Sequence, residues 1–315
     1  MFRSLFISLS HVRWAQDTIT RAPISRNMAR RFIAGETLDQ ALEAIRKLNA
    51  AGINATLDCL GESVSERGAA ETARDEYLRA IDAIDRAGAR ANVSIKLTQF
   101  GLDIDRDFCL ENVRQLVARA RERGNFVRVD MEDSAHTDIT LGVLRDLRQE
   151  FDNVGIVLQA YLFRTEADLA AVTAAGVPVR LCKGAYQEPA DVAFPEKRDV
   201  DLSFIKLTRQ LMDASAAHQP ADPGGRRPAL AALATHDVAM LHAIKRHAER
   251  SGIARDRFEI QMLYGIRRDL QEEMAREGYA VRAYVPYGTH WYPYFMRRLA
   301  ERPANVWFMA SNLLR

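Results

Sequence analysis

The feature that most constrains this chain is a rhythm. Eight short runs rich in β-branched and apolar residues recur at about 54–58, 91–97, 126–130, 155–160, 177–182, 229–235, 258–263 and 280–285, with segments of helical period or polar loops between them. Strands separated by helices must run parallel, because crossovers of that length return the chain to the same edge. Eight such units close into a barrel rather than an open sheet. The predicted fold is therefore α/β: a single (βα)8 TIM-type barrel, with an N-terminal helical arm and a C-terminal helix capping the barrel mouth.

At 315 residues the chain is long for one domain but ordinary for such a barrel. The expected division is an arm over 1–36 and the barrel over 37–315. Thr37 with Gln40 forms a capping-box pattern that opens a helix closing near Gly52. The sixth run is Ala-rich and follows a loop, His218 to Pro228, whose Pro and Gly residues break regular structure. The stretch from Gln187 to Asp199 reads as a long βα connection of the kind that builds ligand sites.

Composition narrows the partners. Hydrophobic residues at 48% with charged residues at 27% fit a globular chain able to bury a core. Basic and acidic residues, 44 against 42, are spread along the chain, so no nucleic-acid or polybasic membrane footprint stands out. Cys59, Cys109 and Cys182 are widely spaced and form no C-x-x-C pair, which fits a reducing, cytoplasmic setting. The run Leu5 to Leu9 is too short for a signal peptide. The seven histidines are scattered, and no metal-ligand spacing is expected among them.

Side chains alternate across a strand, and this parity sends charged residues to the wrong side for an apolar barrel. In Val93-Ser94-Ile95-Lys96-Leu97 the apolar residues share one face and Lys96 lies on the other. In Val127-Arg128-Val129-Asp130 the valines face the helices, while Arg128 and Asp130 point inward. Gln159, Arg180, Gln261 and Tyr284 follow the same parity, and each is expected to end its strand. Burying unpaired charge is costly, so this convergence on one barrel mouth points to a polar ligand there.

Seven ordered segments then resemble one family. YVPYGTHWYPYFMRRLAERPAN from Tyr284 is similar to the last strand and helix of proline dehydrogenases. SIKLTQFGLD from Ser94, RVDMED from Arg128, LQAYL from Leu158, VRLCKGAY from Val179, ATHD from Ala234 and FEIQMLYGIR from Phe258 match in order. The resemblance implies a distorted (βα)8 barrel holding FAD, although no G-x-G-x-x-G of a Rossmann domain occurs. It implies Arg180 near the flavin N5, Gln159 near the pyrimidine edge and Met131 beside the cofactor. Lys183, Gly184, Ala185 and Tyr186 would follow the cofactor outward, and Thr235 and His236 would touch it from the next strand. Gly184 serves equally as a strand-end turn, and His236 as a core histidine.

On the last helix Tyr294, Arg297, Arg298 and Glu301 stand three and four residues apart and can share one face. The resemblance implies that the Arg pair and Lys96 hold the carboxylate of L-proline, with Glu301 as a supporting ion-pair partner. Tyr284 and Leu263 would pack against the substrate ring, Tyr284 favouring proline over hydroxyproline. Asp130 and Arg180 are the candidate catalytic residues, Asp130 by tuning Lys96 or Tyr284. The six charged groups, four cations and two carboxylates, leave an excess of two positive charges for an anionic ligand. The product would be Δ1-pyrroline-5-carboxylate, passed to a pyrroline-5-carboxylate dehydrogenase on a separate chain. The electron acceptor would be external, a quinone, and the stretch from Val306 to Leu314 either touches a bilayer or docks on the barrel. A Schiff-base aldolase using Lys96 or Lys183, a metal-dependent hydrolase and a non-catalytic binding barrel are the competing readings.

Overall fold

The computed structural model describes residue 29, residues 31–61 and residues 63–301, without the side chains of residues 297 and 299–301. Residues 1–28 of the expected arm and the stretch 306–314 lie outside the described residues. Eight parallel strands form a closed barrel in sequence order. They are β1 (Asn54–Cys59), β2 (Ala91–Ile95), β3 (Val127–Val129), β4 (Val154–Gln159), β5 (Val179–Cys182), β6 (Ala231–Ala234), β7 (Phe258–Leu263) and β8 (Ala280–Tyr287). All eight lie where the apolar runs predict them, differing by a few residues at the ends.

The helices are α1 (Leu38–Ala50), α2 (Arg67–Arg86), α3 (Arg106–Glu122), α4 (Thr137–Arg148), α5 (Thr165–Ala174), α6 (Lys197–Ala216), α7 (Val238–Ser251), α8 (Arg268–Arg276) and α9 (Trp291–Glu301). Thr37 caps α1 with the reciprocal Gln40 bonds expected of a capping box. Helix α1 buries Ala41, Leu42 and Ile45 against β1 and β8. That is where the helix after β8 would pack in a regular barrel. The helix that does follow β8, α9, joins Phe32, Ile33 and Leu60 in a separate apolar cluster through Trp291, Tyr292, Tyr294, Phe295 and Met296. The chain thus spends an extra N-terminal helix on the barrel wall and frees its last helix for the mouth.

Strand parity is what the sequence predicts. Val93, Ile95, Val127, Val129, Val179 and Ile260 are fully buried in the layer between barrel and helices. Each such side chain withdraws enough apolar surface to contribute roughly 1.5–3 kcal/mol. The N-terminal end of the barrel is closed by the irregular loop before β6. Gly225 stands there at φ +68, and a Cβ on it would meet Asn54 Oδ1 at 2.5 Å, so the plug requires glycine. Its carbonyl accepts from the Arg282 guanidinium at 2.9 Å, which ties the plug into the barrel interior.

Candidate active site

Inside the barrel the inward polar side chains fall into two tiers. In the lower one Arg282 and Glu259, both fully buried, form a two-pronged pair at 2.7 and 2.9 Å. Arg282 Nη1 donates to the carbonyls of Ala55 and Gly225, and Gln261 Nε2 donates to Glu259 at 2.9 Å. Arg128, also buried, donates to the carbonyls of Ile156 and Pro178. Burial together with the neighbouring Arg180 holds the Arg128 guanidinium well below its ordinary range.

The upper tier contains most of the residues predicted to carry function. Lys96 Nζ donates to Asp58 Oδ1 at 3.0 Å, lies 3.4 Å from the Tyr284 hydroxyl and stands 3.9 Å from Asp130 Oδ2. Tyr284 donates to Asp130 Oδ2 at 2.9 Å, and burial, then the Asp130 and Asp58 charges, push its hydroxyl well above the usual phenol range. Arg180 binds the other Asp130 oxygen, donates to Ser94 Oγ at 2.6 Å and to Gln261 Oε1 at 3.4 Å, and lies 5.1 Å from the Tyr284 ring centroid. Asp130 therefore joins Lys96, Tyr284 and Arg180.

Above this tier opens a cavity of about 590 Å³. Lys96, Asp130, Met131, Gln159, Arg180, Lys183, Gly184, Ala185, Tyr186, Thr235, His236, Leu263, Tyr284, Tyr294 and Arg298 all face it, which gathers the predicted site into one place. The Arg298 guanidinium lies 5.1 Å from the Tyr294 ring centroid, so these two share a helical face as their spacing predicts. The side chains of Arg297 and Glu301 lie outside the described residues.

Several expectations need correction. Gln159 ends its strand, but Arg180 is second in β5, Gln261 fourth in β7 and Tyr284 fifth in β8, so these three act from within the barrel wall. Lys96 and Asp130 each lie one residue beyond their strands. Asp58, fully buried, was missed, although parity in Thr56-Leu57-Asp58 places it inward. It raises the carboxylates to three and lowers the expected excess of positive charge from two to one. Glu259 was also missed, two residues before Gln261 on the same parity. Lys183 is held by Asp201 and, at 2.9 Å, by Asp237. With Lys96 paired to Asp58, both lysines of the Schiff-base alternative are engaged as ion-pair partners.

The cavity wall has the donors a flavin needs, whose ring edge is lined by acceptors. His236 Nε2 accepts the Leu263 backbone N–H at 2.8 Å, so in the neutral ring the proton sits on Nδ1. Buried Thr235, the Arg180 guanidinium and the Gly184–Tyr186 segment line the same wall. Gly184 has φ +119, and a Cβ there would meet the Tyr161 ring at 2.4 Å, so glycine is required for the turn itself. Glu188 fixes the following connection by accepting from Ser134 N at 2.8 Å and from Tyr161 at 3.3 Å.

Residues 41–311 match the family described as Proline dehydrogenase. The chain is similar to Proline dehydrogenase 1 of Bacillus subtilis (strain 168), with 39% identity over 316 residues that span 100% of both chains. Similarity to the Deinococcus radiodurans protein named Proline dehydrogenase is 41% over 294 residues, 92% of this chain and 91% of that one. Among solved structures, proline utilization A (PutA) from Bdellovibrio bacteriovorus, inactivated by N-propargylglycine, superposes with a TM-score of 0.78 at 26% identity. That match covers 87% of this chain, which spans about a third (32%) of the larger protein. A full-length match at this identity, on a barrel whose mouth assembles the residues quoted above, places the chain in the proline dehydrogenase family: it is a flavoenzyme that oxidises proline, the first step of proline catabolism.

Proposed function

We propose that FAD occupies the 590 Å³ cavity and that L-proline binds beneath it on the upper tier. The observation that carries this reading is the Lys96–Asp130–Arg180–Tyr284 group, bonded together at the cavity floor yet facing its open side. Gln159, Arg180, the Lys183–Tyr186 segment, Thr235, His236 and Met131 would hold the flavin, which when bound supplies the hydride acceptor.

Lys96 and Arg298, with Arg297 beside it in sequence, would grip the carboxylate, with Glu301 steadying the arginines. Tyr294, Leu263 and Tyr284 would pack on the ring, which orients C5 toward the cavity and excludes water. Asp130 holds Tyr284 and Arg180 in register, so it acts on the reaction by aligning both. The electrons would leave to an external acceptor, a quinone. The product, Δ1-pyrroline-5-carboxylate, would pass to a separate dehydrogenase. Among the described residues no helix is long and apolar enough to cross a membrane.

A visible absorbance spectrum of the purified protein, followed by anaerobic proline, tests this. Flavin bands that bleach on addition support it, and bands that proline leaves unchanged refute it. Turnover of hydroxyproline equal to that of proline would overturn the assignment of Tyr284 to substrate selection.

A further inference from the structure

Behind the active-site cavity lies a second one of about 460 Å³, between the β1–α2 connection, α2 and the start of α9. Lys96 and Tyr294 face both cavities, so the partition between them is one side chain thick. The second cavity is not simply apolar. Gln99 is 4% exposed and faces it; its Nε2 donates to the Cys59 carbonyl at 3.1 Å, and its Oε1 accepts no hydrogen bond among the described residues. Glu76 and His290 also face it. Next to Lys96, Asp58 is fully buried, and its Oδ2 likewise has no partner among the described residues. A buried acceptor left open is costly unless water or a ligand meets it.

Proline at neutral pH carries an ammonium. Its nitrogen must lose a proton before a hydride can leave the neighbouring carbon, because the lone pair supports the developing iminium. The nitrogen of an α-amino acid is two bonds from its carboxylate carbon, so a lysine touching the carboxylate lies within about one water of the nitrogen.

We propose that the second cavity is the proton exit of the reaction, with Lys96 as the transfer point and Glu76 as its outer acceptor. Lys96 Nζ, an ammonium in its pair with Asp58, first gives a proton to water in the second cavity. Its freed lone pair then takes the proton of the substrate nitrogen as that N–H bond breaks, and the lysine ends each cycle as it began. That water is held by the open Gln99 Oε1 and delivers the proton past Glu76 to solvent. A cavity of this volume with several polar groups on its wall accommodates a connected chain of waters.

The groups around the transfer point are consistent with this direction of travel. Asp58 from β1, Asp130 after β3 and the Tyr284 hydroxyl from β8 face Lys96 at 3.0, 3.9 and 3.4 Å, with Arg180 behind Asp130 and Tyr77 behind Asp58. Buried Glu132 also interacts with Lys96 electrostatically. On the outer side Glu76 stands against Cys59 and Tyr287, whose thiol and hydroxyl are pushed up first by burial and then by neighbours including Glu76. They cannot compete with Glu76 as acceptors. The carboxylates draw the proton toward Lys96, and among the described residues Glu76 is the acidic group beyond it on the cavity wall.

The inference rests on the reading of Lys96 as a carboxylate contact. It is tested on the FAD-loaded enzyme by stopped-flow reduction with proline from about pH 6 to about pH 10, where amines of the lysine class begin to arrive neutral. Glu76→Gln removes the outer acceptor, and Ala73→Leu fills the cavity. The expected result is reduction slowed about tenfold near neutrality and restored to within about twofold at the alkaline end. Binding of an oxygen-ring analogue of proline, which has no nitrogen proton, should be unchanged. A loss that is uniform across pH, no loss at all, or weakened analogue binding in Glu76→Gln would each overturn the proposal. Should Ala73→Leu fail to fold, Glu76→Gln decides alone. Lys96→Met should abolish analogue binding, and unaltered binding in that variant breaks the Lys96 reading and the inference with it.

Discussion

The two tiers of the barrel interior use the same kinds of residue and differ in what they leave open. Below, Arg282 and Glu259 satisfy each other and the surrounding carbonyls, and the loop carrying Gly225 seals them from solvent. Above, Lys96, Asp130, Arg180 and Tyr284 bond to one another but keep a side turned to a cavity. A tier sealed on every side makes a rigid base, and a tier with one side on a cavity makes a surface that can meet a charged ligand. Whether a buried charge is structural or functional is therefore read from whether its group faces a cavity, not from its burial alone.

The sharpest way to break this comparison is Arg282→Ala. It strands Glu259 in the interior and should cost about 3–5 kcal/mol in urea denaturation, whereas pairing Arg282→Met with Glu259→Leu should recover most of it. A loss under about 1 kcal/mol would mean that the lower tier is not the sealed base described. Asp130→Ala should separate the tiers from the other side. The rate of flavin reduction is expected to fall by about 2–3 kcal/mol of transition-state stabilisation, roughly 30- to 150-fold, while thermal stability changes far less. An equal loss of stability would make Asp130 a structural residue. Tyr284→Phe removes the hydroxyl bonded to Asp130 and keeps the ring; about fivefold in kcat/KM, near 1 kcal/mol, is expected.

The smallest effect lies outside both tiers, at His136 beside the cavity-side connection after β3. Burial pulls its pKa down, but the bonds to Asp103 at 2.8 Å and Asp133 at 2.6 Å outweigh burial and raise it above 6.5. The folded state binds the proton more tightly than the unfolded chain, so this contribution is full below about pH 6.5 and is lost as pH rises through the folded value. Hydrogen exchange of residues 133–137 should quicken over that interval in the wild type and lose the dependence in His136→Gln.

Much of this protein was legible one residue at a time. The alternation that points Val93 and Ile95 outward and Lys96 inward is a local property of extended backbone, and it held for every strand to which it was applied. Applied to β1 and to the start of β7 it would also have found Asp58 and Glu259. Strand ends were less legible, because where a ladder stops depends on its neighbours, and Arg180 and Tyr284 lie deeper than their runs suggest.

Partnership was not legible at all. Tyr284 and Asp130 are 154 positions apart, Arg180 and Asp130 50, and Lys96 and Asp58 38, and nothing local shows that Lys183 meets Asp201 and Asp237 while Lys96 meets Asp58 and Asp130. The sequence by itself determined the eight strands and the side of each strand on which charge would lie, since both follow from backbone geometry with a period of two. Only closure of the barrel decided which charges meet, which of them face the cavity, and that α1 takes the wall position and leaves α9 at the mouth. Those are matters of distance across a ring, and distance is set by the tertiary structure.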